Sequence, residues 1–224
     1  MSQQAWLQII HDLHSTNVKR AVLACEKINT TADASRIAEL YELLTDDSFF
    51  VREAAAIPLA RIKGIEALPS LFQAMTRGED GHDNDGLVAT IAHLLETNQE
   101  KVTPLLLKMV EDQDKDVRLN AAWALGFVAT QISPVPLFEL IDNDESFRVR
   151  SAAIASLGSF KGFPEVFDRL VLLLQDPSLH VKVAAIAALG YLGDKRAIGP
   201  LQEMLSGSSD TIRFSIQFAL ERLA

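Results

Sequence analysis

The chain has 224 residues, of which 48% are hydrophobic and 7% aromatic, a composition too apolar for a disordered segment and sufficient for a continuous core. Its 21 Lys and Arg stand against 30 Asp and Glu, and the net charge of −9 disfavours a nucleic-acid-binding protein, since a phosphate backbone would repel it. The single cysteine, Cys25, cannot form an intramolecular disulfide and is expected to be a small core residue in a reducing compartment.

The N-terminal segment lacks the basic start and the unbroken apolar run of a signal peptide, because Gln8 and His11 interrupt its apolar residues. No apolar run elsewhere approaches the roughly 20 residues that a transmembrane helix needs. We therefore expect a cytoplasmic protein without membrane contact.

Amphipathic helices follow one another along the chain, beginning with residues 3–14 and 17–28, where apolar side chains recur at helical spacing. The segment from Thr31 to Asp33 can cap the next helix. From there the order repeats: an acidic turn, a helix, a break that contains glycine, and a helix ending in leucines. The sequence predicts fourteen helices in seven pairs.

The second helix of each pair carries a copy of the pattern V-[RK]-x-x-A-A-x-A-L-G. Clear copies occupy residues 117–126, 149–158 and 181–190, a fourth starts at Val51, and weaker ones start at Val18, Asp85 and Ile212. The starts recur at intervals of 31 to 34 residues. A short helix pair cannot bury its apolar faces alone, and stacking the copies buries them.

The pattern predicts an all-α fold, a right-handed α-solenoid in which about seven antiparallel helix pairs form a superhelix and a single domain over residues 1–224. The predicted units are residues 1–30, 31–64, 65–97, 98–130, 131–161, 162–193 and 194–224.

The best copy, DPSLHVKVAAIAALGYLGDKRAIGPL over residues 176–201, resembles HEAT repeats, of the short variety called phycobilisome-lyase HEAT-like repeats. The similarity covers roughly residues 15–224 and implies an armadillo-like helical fold, while it says little about activity. Proteins with similar repeats include adaptor scaffolds, chromophore-attachment lyase subunits, a metal-dependent hydroxylase and certain DNA glycosylases. The His-Glu pairs of that hydroxylase are absent here, and His11 and His14 have no nearby residues to complete a metal site, so no metal is predicted.

A basic residue occupies the second position of the pattern in six of the seven copies, with Gly86 as the exception. One interpretation is a phosphate-binding stripe. The favoured one is a structural ladder, because Asp47, Asp114, Asp144 and Asp176 recur upstream and can accept these cations across the turn or from the neighbouring repeat. The ladder comprises Arg52, Arg118, Arg150, Lys182 and Arg213, with Lys19 in the weak first copy.

The third, seventh and eleventh positions of the pattern lie along one face of the second helix, because they are four residues apart. In similar sequences they are usually polar and line the concave side of the superhelix. Here several copies are apolar: Leu87, Ile91 and Leu95; Leu119, Trp123 and Phe127; Val183, Ala187 and Tyr191; Phe214 and Phe218, followed by Arg222. Two copies are more polar, with Glu53 and Arg61 in one and Ser151 and Ser159 in the other.

These rows are either an exposed groove or additional core. A groove is favoured, because the alanines and leucines already supply an inward face that Trp123 and Phe127 would overfill. Exposed apolar patches of this extent mark sites for partners or ligands. The predicted groove residues are Leu119, Trp123, Phe127, Tyr191, Phe214, Phe218 and Arg222.

Residues 77–86, RGEDGHDNDG, resemble a calcium-binding loop at Asp83, Asp85 and Gly86. The match fails at the first ligand position, Gly81, and at the bidentate position, Ala92. We expect a flexible acidic loop rather than a metal site, and leave contact with a partner open.

No catalytic residue and no cofactor are predicted, since the chain has no G-x-S-x-G, P-loop or dinucleotide motif. The favoured function is a non-catalytic scaffold or adaptor that binds a protein or peptide along the apolar groove. The alternative is a subunit resembling the phycobilin lyases, an enzyme whose groove would hold a tetrapyrrole. A nucleic-acid-binding HEAT-like protein is third, because of the net charge. Ile216, Phe218 and Leu220 are predicted to lack a covering repeat, which leaves self-association through the C-terminal end open.

Overall fold

The structure is a computed structural model that describes residues 1–77 and 85–224, with the side chain of Asp85 left out. Met1–Asn98 and Gln99–Ala224 form two compact units, which are described separately. The acidic segment of residues 78–84, with the calcium-like positions Gly81 and Asp83, lies outside the described residues. The single domain and its unit boundaries stay predictions.

The first unit contains three helix pairs, in which α1 packs on α2, α3 on α4 and α5 on α6. The second helices of the pairs also pack on each other, α2 on α4 and α4 on α6. The helices are α1 (Gln3–Leu13), α2 (Val18–Thr31), α3 (Ile37–Leu43), α4 (Phe49–Lys63), α5 (Leu68–Thr76) and α6 (Asp85–Thr97).

The second unit contains four pairs, in which the second helices α8, α10, α12 and α14 form one continuous layer, each packed on the next. Its helices are α7 (Gln99–Met109), α8 (Lys115–Leu125), α9 (Val135–Asn143), α10 (Phe147–Leu157), α11 (Pro164–Leu173), α12 (Leu179–Leu192), α13 (Ile198–Leu205) and α14 (Asp210–Leu223). The described residues thus contain fourteen α-helices and no strand. The predicted fold class, an all-α solenoid of paired helices, is confirmed.

Aspartate side chains close the acidic turns between the two helices of a pair. Each carboxylate accepts a hydrogen bond of 2.8 Å from the backbone N–H two residues later, the geometry of an Asx turn. The four aspartates are Asp46, Asp112, Asp144 and Asp176. The acidic residues of the turns therefore fix the entry into the second helix.

The core lies between the first and second helices of each pair. The branched residue at the first position of the pattern is buried in five copies, together with the small residues that follow it on the same helix face. These first-position residues are Val51, Val117, Val149, Val181 and Ile212. Alanines at the contacts let the helices approach closely, which explains why the pattern is rich in alanine.

The predicted alignment of the pattern is wrong in two helices of the first unit. Val18 is 74% exposed, and α2 instead buries Ala21, Ala24 and Ile28. These three residues have the same spacing as the buried residues at positions 51, 54 and 58 of α4. In α6 the fully buried residues are Leu87, Ile91 and Leu95, so that Leu87 occupies the first position and this row is core, not groove. Lys19 and Gly86 therefore do not stand at the second position of a repeat.

Candidate binding face

The third, seventh and eleventh positions of the pattern in α8, α10, α12 and α14 share one surface of the second unit, here called the second-helix face. None of its side chains is buried: each is exposed or half-exposed. Its members are Leu119, Trp123 and Phe127; Ser151, Ala155 and Ser159; Val183, Ala187 and Tyr191; Phe214, Phe218 and Arg222. The face includes all seven residues predicted as groove residues.

Aromatic side chains are most exposed where α12 and α14 meet. Tyr191 is 50% exposed, Phe214 72% and Phe218 44%. The Arg222 guanidinium carbon lies 4.0 Å from the centroid of the Tyr191 ring and 5.9 Å from that of Phe218, distances typical of cation–π contacts. No ion pair within the described residues neutralises Arg222. One cation and two rings therefore form a cluster open to solvent, and the exposed ring of Phe214 lies one helical turn before Phe218 on the same face of α14.

A second aromatic group lies at the C-terminal end of α8 and in the turn that follows it. Trp123 and Phe127 are half-exposed and make an edge-to-face contact with ring centroids 4.9 Å apart and an angle of 69° between the rings. Phe127 stands in the 3₁₀ turn Gly126–Val128 that follows α8. The backbone oxygen of Phe127 accepts a hydrogen bond of 3.3 Å from Gln99 Nε2, which anchors this turn to the start of α7. Leu119 extends the apolar surface along α8.

Small side chains of α10 separate the two aromatic groups. Ala155 and Ser159 are exposed and Ser151 is half-exposed, so the centre of the face is low and smooth. Packed helices lie about 8–10 Å apart, so two such spacings put the aromatic residues of α8 and α12 roughly 16–20 Å from each other. The arrangement fits an apolar segment that spans α10 and is held at both ends.

Glycines hold the layer of second helices together by close backbone approach. A Cβ atom on Gly158 would lie 2.8 Å from Cβ of Tyr191 and 3.0 Å from the backbone oxygen of Ala188, and one on Gly190 would lie 3.0 Å from Cα of Ala219. Between α8 and α10 the link is a hydrogen bond, in which buried Ser156 Oγ donates to the oxygen of Ala122 at 2.8 Å. Sequence reasoning missed Ser156, although serine at an alanine position of the pattern was a usable signal.

The arginines of the basic ladder bind mainly backbone oxygens of the turn before their own helix. Arg52 is buried and donates through Nη1 to the oxygens of Asp46 and Asp47, both at 2.8 Å, and through Nη2 to that of Arg77 at 3.0 Å. Arg150 donates through Nη1 to the oxygens of Asp144 and Glu145 at 2.6 and 3.1 Å. These guanidinium groups close the turns.

Of the aspartates predicted to accept these cations, Asp144 does so, because Nε of Arg118 donates to its Oδ2 at 2.7 Å from the preceding repeat. Asp47 contributes a backbone oxygen instead of its carboxylate. Lys182 is half-buried. Arg213 is exposed and pairs with Asp210 of its own helix. Asp144 thus accepts a ladder arginine through its carboxylate, whereas Asp47 does so through its backbone oxygen.

Titratable groups elsewhere form no cluster that could hold a metal: among the described residues, no three His, Cys, Asp or Glu side chains come together. His14 contacts Asp46 at 2.8 Å through Nε2 and the oxygen of Ile10 at 3.0 Å through Nδ1.

Cys25, predicted as a core residue, is half-buried, and this burial raises the pKa of its thiol. Ile216, predicted to lack cover, is buried. None of the described helices has the length and apolar content to cross a membrane.

The fold and its repeated contacts define a helical-repeat protein. The family pattern described as HEAT repeats matches residues 80–157 and 134–221, more than half of the chain. The chain belongs to the HEAT-repeat family.

Two relatives with similar sequences are bilin biosynthesis proteins. The chain is 32% identical over 100 residues to the bilin biosynthesis protein PecE of Mastigocladus laminosus, an alignment that covers 42% of this chain and 37% of the relative. PecE of Nostoc sp. strain PCC 7120 is 33% identical over 104 residues, 43% of this chain and 40% of the relative. The chain thus spans about two fifths of the length of these curated relatives.

A solved structure with a similar fold comes from the complex of CpcE and CpcF of phycocyanin lyase from Nostoc sp. PCC7120. A chain of that complex superposes with a TM-score of 0.52 and 26% sequence identity, over 70% of this chain and 99% of that one. The repeats of the present chain are therefore similar in both sequence and fold to those of a lyase complex.

Proposed function

We propose that this chain is a non-catalytic scaffold that holds an apolar segment of a partner protein on the second-helix face. One observation carries the proposal: Tyr191, Phe214 and Phe218 are exposed together although the core beneath them is complete. Contiguous exposed aromatic side chains mark interaction sites in soluble proteins, and Trp and Tyr are frequent anchors of such sites.

The face also favours one chemistry of the partner. Arg222 has its cation held above Tyr191 and no carboxylate partner among the described residues, so an acidic residue of the bound segment would complement it. The roughly 16–20 Å between the two aromatic groups equals about five to six residues of extended chain or about eleven to thirteen of α-helix. The expected partner segment therefore carries two apolar anchors at that separation and an acidic residue beside one of them.

The relatives support a role in protein assembly. The solved relative is a complex of two chains, CpcE with CpcF, so a HEAT-repeat chain of this kind binds another protein there. A scaffold of stacked helices needs no chemistry of its own to bind an amphipathic or extended segment.

Site-specific cross-linking tests the proposal. A photo-reactive phenylalanine analogue at position 218 should cross-link one partner protein in a lysate of the source organism, through a peptide that contains apolar and acidic residues. Phe147 is the matched control, because it is a phenylalanine of the same unit with 48% exposure outside the second-helix face. Equal cross-linking from positions 147 and 218, or none from 218, would contradict the proposed face.

A second candidate function is the handling of a bilin chromophore, which the similarity to the bilin biosynthesis protein PecE favours. The rings of Trp123 and Phe127 would then cover a tetrapyrrole, and the chain would act as a subunit of a lyase-type enzyme. Mixing the purified chain with a bilin distinguishes the two functions. A change in the visible spectrum that Trp123→Ala abolishes would support chromophore binding. An unchanged spectrum would contradict chromophore binding and leave the protein-binding scaffold as the proposed function.

A further inference from the structure

A cleft of about 360 Å³ opens among α9, α10, α11 and α12 of the second unit. Residues of the first helices, of one acidic turn and of the second helices α10 and α12 line it, and none of them belongs to the second-helix face. Two arginines, Arg150 and Arg169, and two aspartates, Asp142 and Asp176, supply its charged groups. The cleft is therefore separate from the proposed scaffold surface.

Arg150 matches Arg118 of the preceding repeat in position and in part of its bonding. Nη1 of Arg118 donates to the oxygens of Asp112 and Gln113, as Nη1 of Arg150 does to those of Asp144 and Glu145. Arg118 also uses Nε and Nη2 to bind both carboxylate oxygens of Asp144, at 2.7 and 3.3 Å.

The corresponding carboxylate contact is missing at Arg150. Asp176 is the match of Asp144 and lines the cleft, yet no ion pair among the described residues joins it to Arg150. The Nε and Nη2 groups of Arg150 therefore offer a pair of donors to a carboxylate. The equivalent pair on Arg118, one repeat earlier, binds the carboxylate of Asp144.

Arg169 adds a second donor to the same cleft. Its Nη2 group pairs with Asp142, while its Nε atom is buried without a hydrogen-bond acceptor. A buried N–H without an acceptor costs free energy, so a ligand oxygen that reached Nε would bind favourably. Because Asp142 is engaged by Arg169, its charge does not oppose such an oxygen strongly, whereas the carboxylate of Asp176 in the same cleft does oppose it and must be outweighed by the contact with Arg150.

The remaining walls are apolar. Ile154 lies buried at the base, Leu173 and Val181 flank the cleft, and Leu172 is 69% exposed at its mouth. A ligand with a charged head and a hydrocarbon body would bury the body against these side chains, and removing that apolar surface from water favours binding.

We propose that this cleft binds a carboxylate carried on an apolar body, with Nε and Nη2 of Arg150 and Nε of Arg169 as its donors. The planar guanidinium fork matches the two oxygens of a carboxylate, as the Arg118–Asp144 pair demonstrates within this chain. The site goes beyond the proposed scaffold function and does not depend on it.

The test uses hexanoate as probe, with hexanamide and inorganic phosphate as comparisons, followed by calorimetry and by the NMR signals of the arginine Nε–H groups. We expect hexanoate to shift the Nε–H signals of Arg150 and Arg169 and hexanamide to shift neither. Arg150→Gln and Arg169→Gln should each weaken hexanoate binding about tenfold, the loss expected for a charge-assisted contact. Arg118→Gln is the matched control and should bind hexanoate like the wild type.

Other outcomes overturn the proposal. Equal binding of hexanamide would mean an apolar pocket only, and arginine-dependent binding of phosphate without hexanoate would mean an anion site of different geometry. Equal losses in Arg118→Gln and Arg150→Gln would point to a general charge effect. An absence of any shift up to about 50 mM hexanoate would exclude the site. If Arg150→Gln fails to fold, Arg169→Gln still decides the result, because Arg169 is not part of the turn-closing ladder.

Discussion

The guanidinium carbon of Arg222 on α14 lies 4.0 Å from the centroid of the Tyr191 ring on α12. On the opposite side of this seam, Gly190 of α12 approaches Ala219 of α14 so closely that no β-carbon fits without a shift. The two helices are thus joined at their exposed surface by a cation over a ring and at their buried surface by backbone contact. This combination holds the aromatic cluster rigidly, which lowers the entropy cost of binding to it.

Replacing Arg222 should weaken binding of the cross-linked partner. Arg222→Gln removes the cation that we expect to meet an acidic residue, so the partner's affinity should fall about five- to tenfold. Arg196→Gln is the matched control, since Arg196 lies 4.1 Å from the centroid of the Phe167 ring, outside the second-helix face. Calorimetry with the identified partner segment measures both, and equal losses would contradict the assignment.

The two tryptophans should respond differently to truncation. Trp123→Ala removes a half-exposed ring that makes an edge-to-face contact with Phe127, so the free energy of unfolding should fall by about 1–2 kcal/mol, while partner affinity falls by ~2 kcal/mol. Trp6→Ala empties a fully buried position and should cost about 3–5 kcal/mol. Urea titrations followed by circular dichroism test this, and an equal cost for both would identify Trp123 as core.

Gly158 should not tolerate a methyl group. Gly158→Ala forces a contact of 2.8 Å with Cβ of Tyr191, which should destabilise the chain by about 1–3 kcal/mol and displace the Tyr191 ring. Gly126→Ala is the matched control, because the nearest contacts of its added Cβ lie at 3.5 Å. This control should be neutral or stabilising by less than about 1 kcal/mol. Thermal unfolding of both variants decides, and a stable Gly158→Ala protein would contradict the close packing of α10 and α12.

Arg52 should not be replaceable by lysine. Its guanidinium group binds three backbone oxygens in a buried position, and a lysine ammonium cannot reach all three. Arg52→Lys should therefore lower the free energy of unfolding by about 2–3 kcal/mol. Arg213→Lys changes an exposed pair and should stay within about 0.5 kcal/mol. Denaturant titrations of the two variants measure the difference.

His14 should make stability depend on pH. Its hydrogen bonds to Asp46 and to the oxygen of Ile10 raise its pKa above 6.5, and both partners accept, so the bound form is the imidazolium. The pKa of Asp46 is lowered although burial opposes this, because the hydrogen bonds from His14 and from the Ser48 N–H outweigh it.

The contribution of His14 is fully present below pH 6.5 and disappears as the pH rises through its elevated folded-state pKa. The contribution of Asp46 is present above its unfolded value of 3.8 and is lost as the pH falls through the lowered pKa. His14→Gln should therefore cost up to about 1 kcal/mol near pH 5 and little near pH 9. A cost that does not change between these values would show that His14 stays uncharged.

The number of helices and the orientation of the second-helix face were predictable because both follow from local periodicity. Two registers were wrong for a physical reason. The dipeptide of Val18 and Lys19 imitates the start of the pattern, but burial in α2 is decided by Ala21, Ala24 and Ile28, which fit against α4. In α6 the row of Leu87 and Ile91 is core, since no other branched residue fills the first position there.

Contacts between helices were predictable only in part. The carboxylate of Asp144 was predicted as an acceptor, whereas Arg52 donates to backbone oxygens. Every turn has backbone oxygens whatever its residues are, so the sequence does not indicate which of them an arginine will bind. The placement of Arg222 over Tyr191 depends on the offset between α12 and α14, and glycine at position 190 sets that offset through its contact with Ala219.

The two tryptophans of the chain lie one in each compact unit, Trp6 buried on α1 and Trp123 half-exposed on α8. Their fluorescence should therefore differ, with blue-shifted emission from Trp6 that acrylamide quenches poorly and red-shifted emission from Trp123 that acrylamide quenches readily. Single replacement of either tryptophan by phenylalanine leaves one emitter, so that the unfolding of each unit can be followed on its own without attaching a dye.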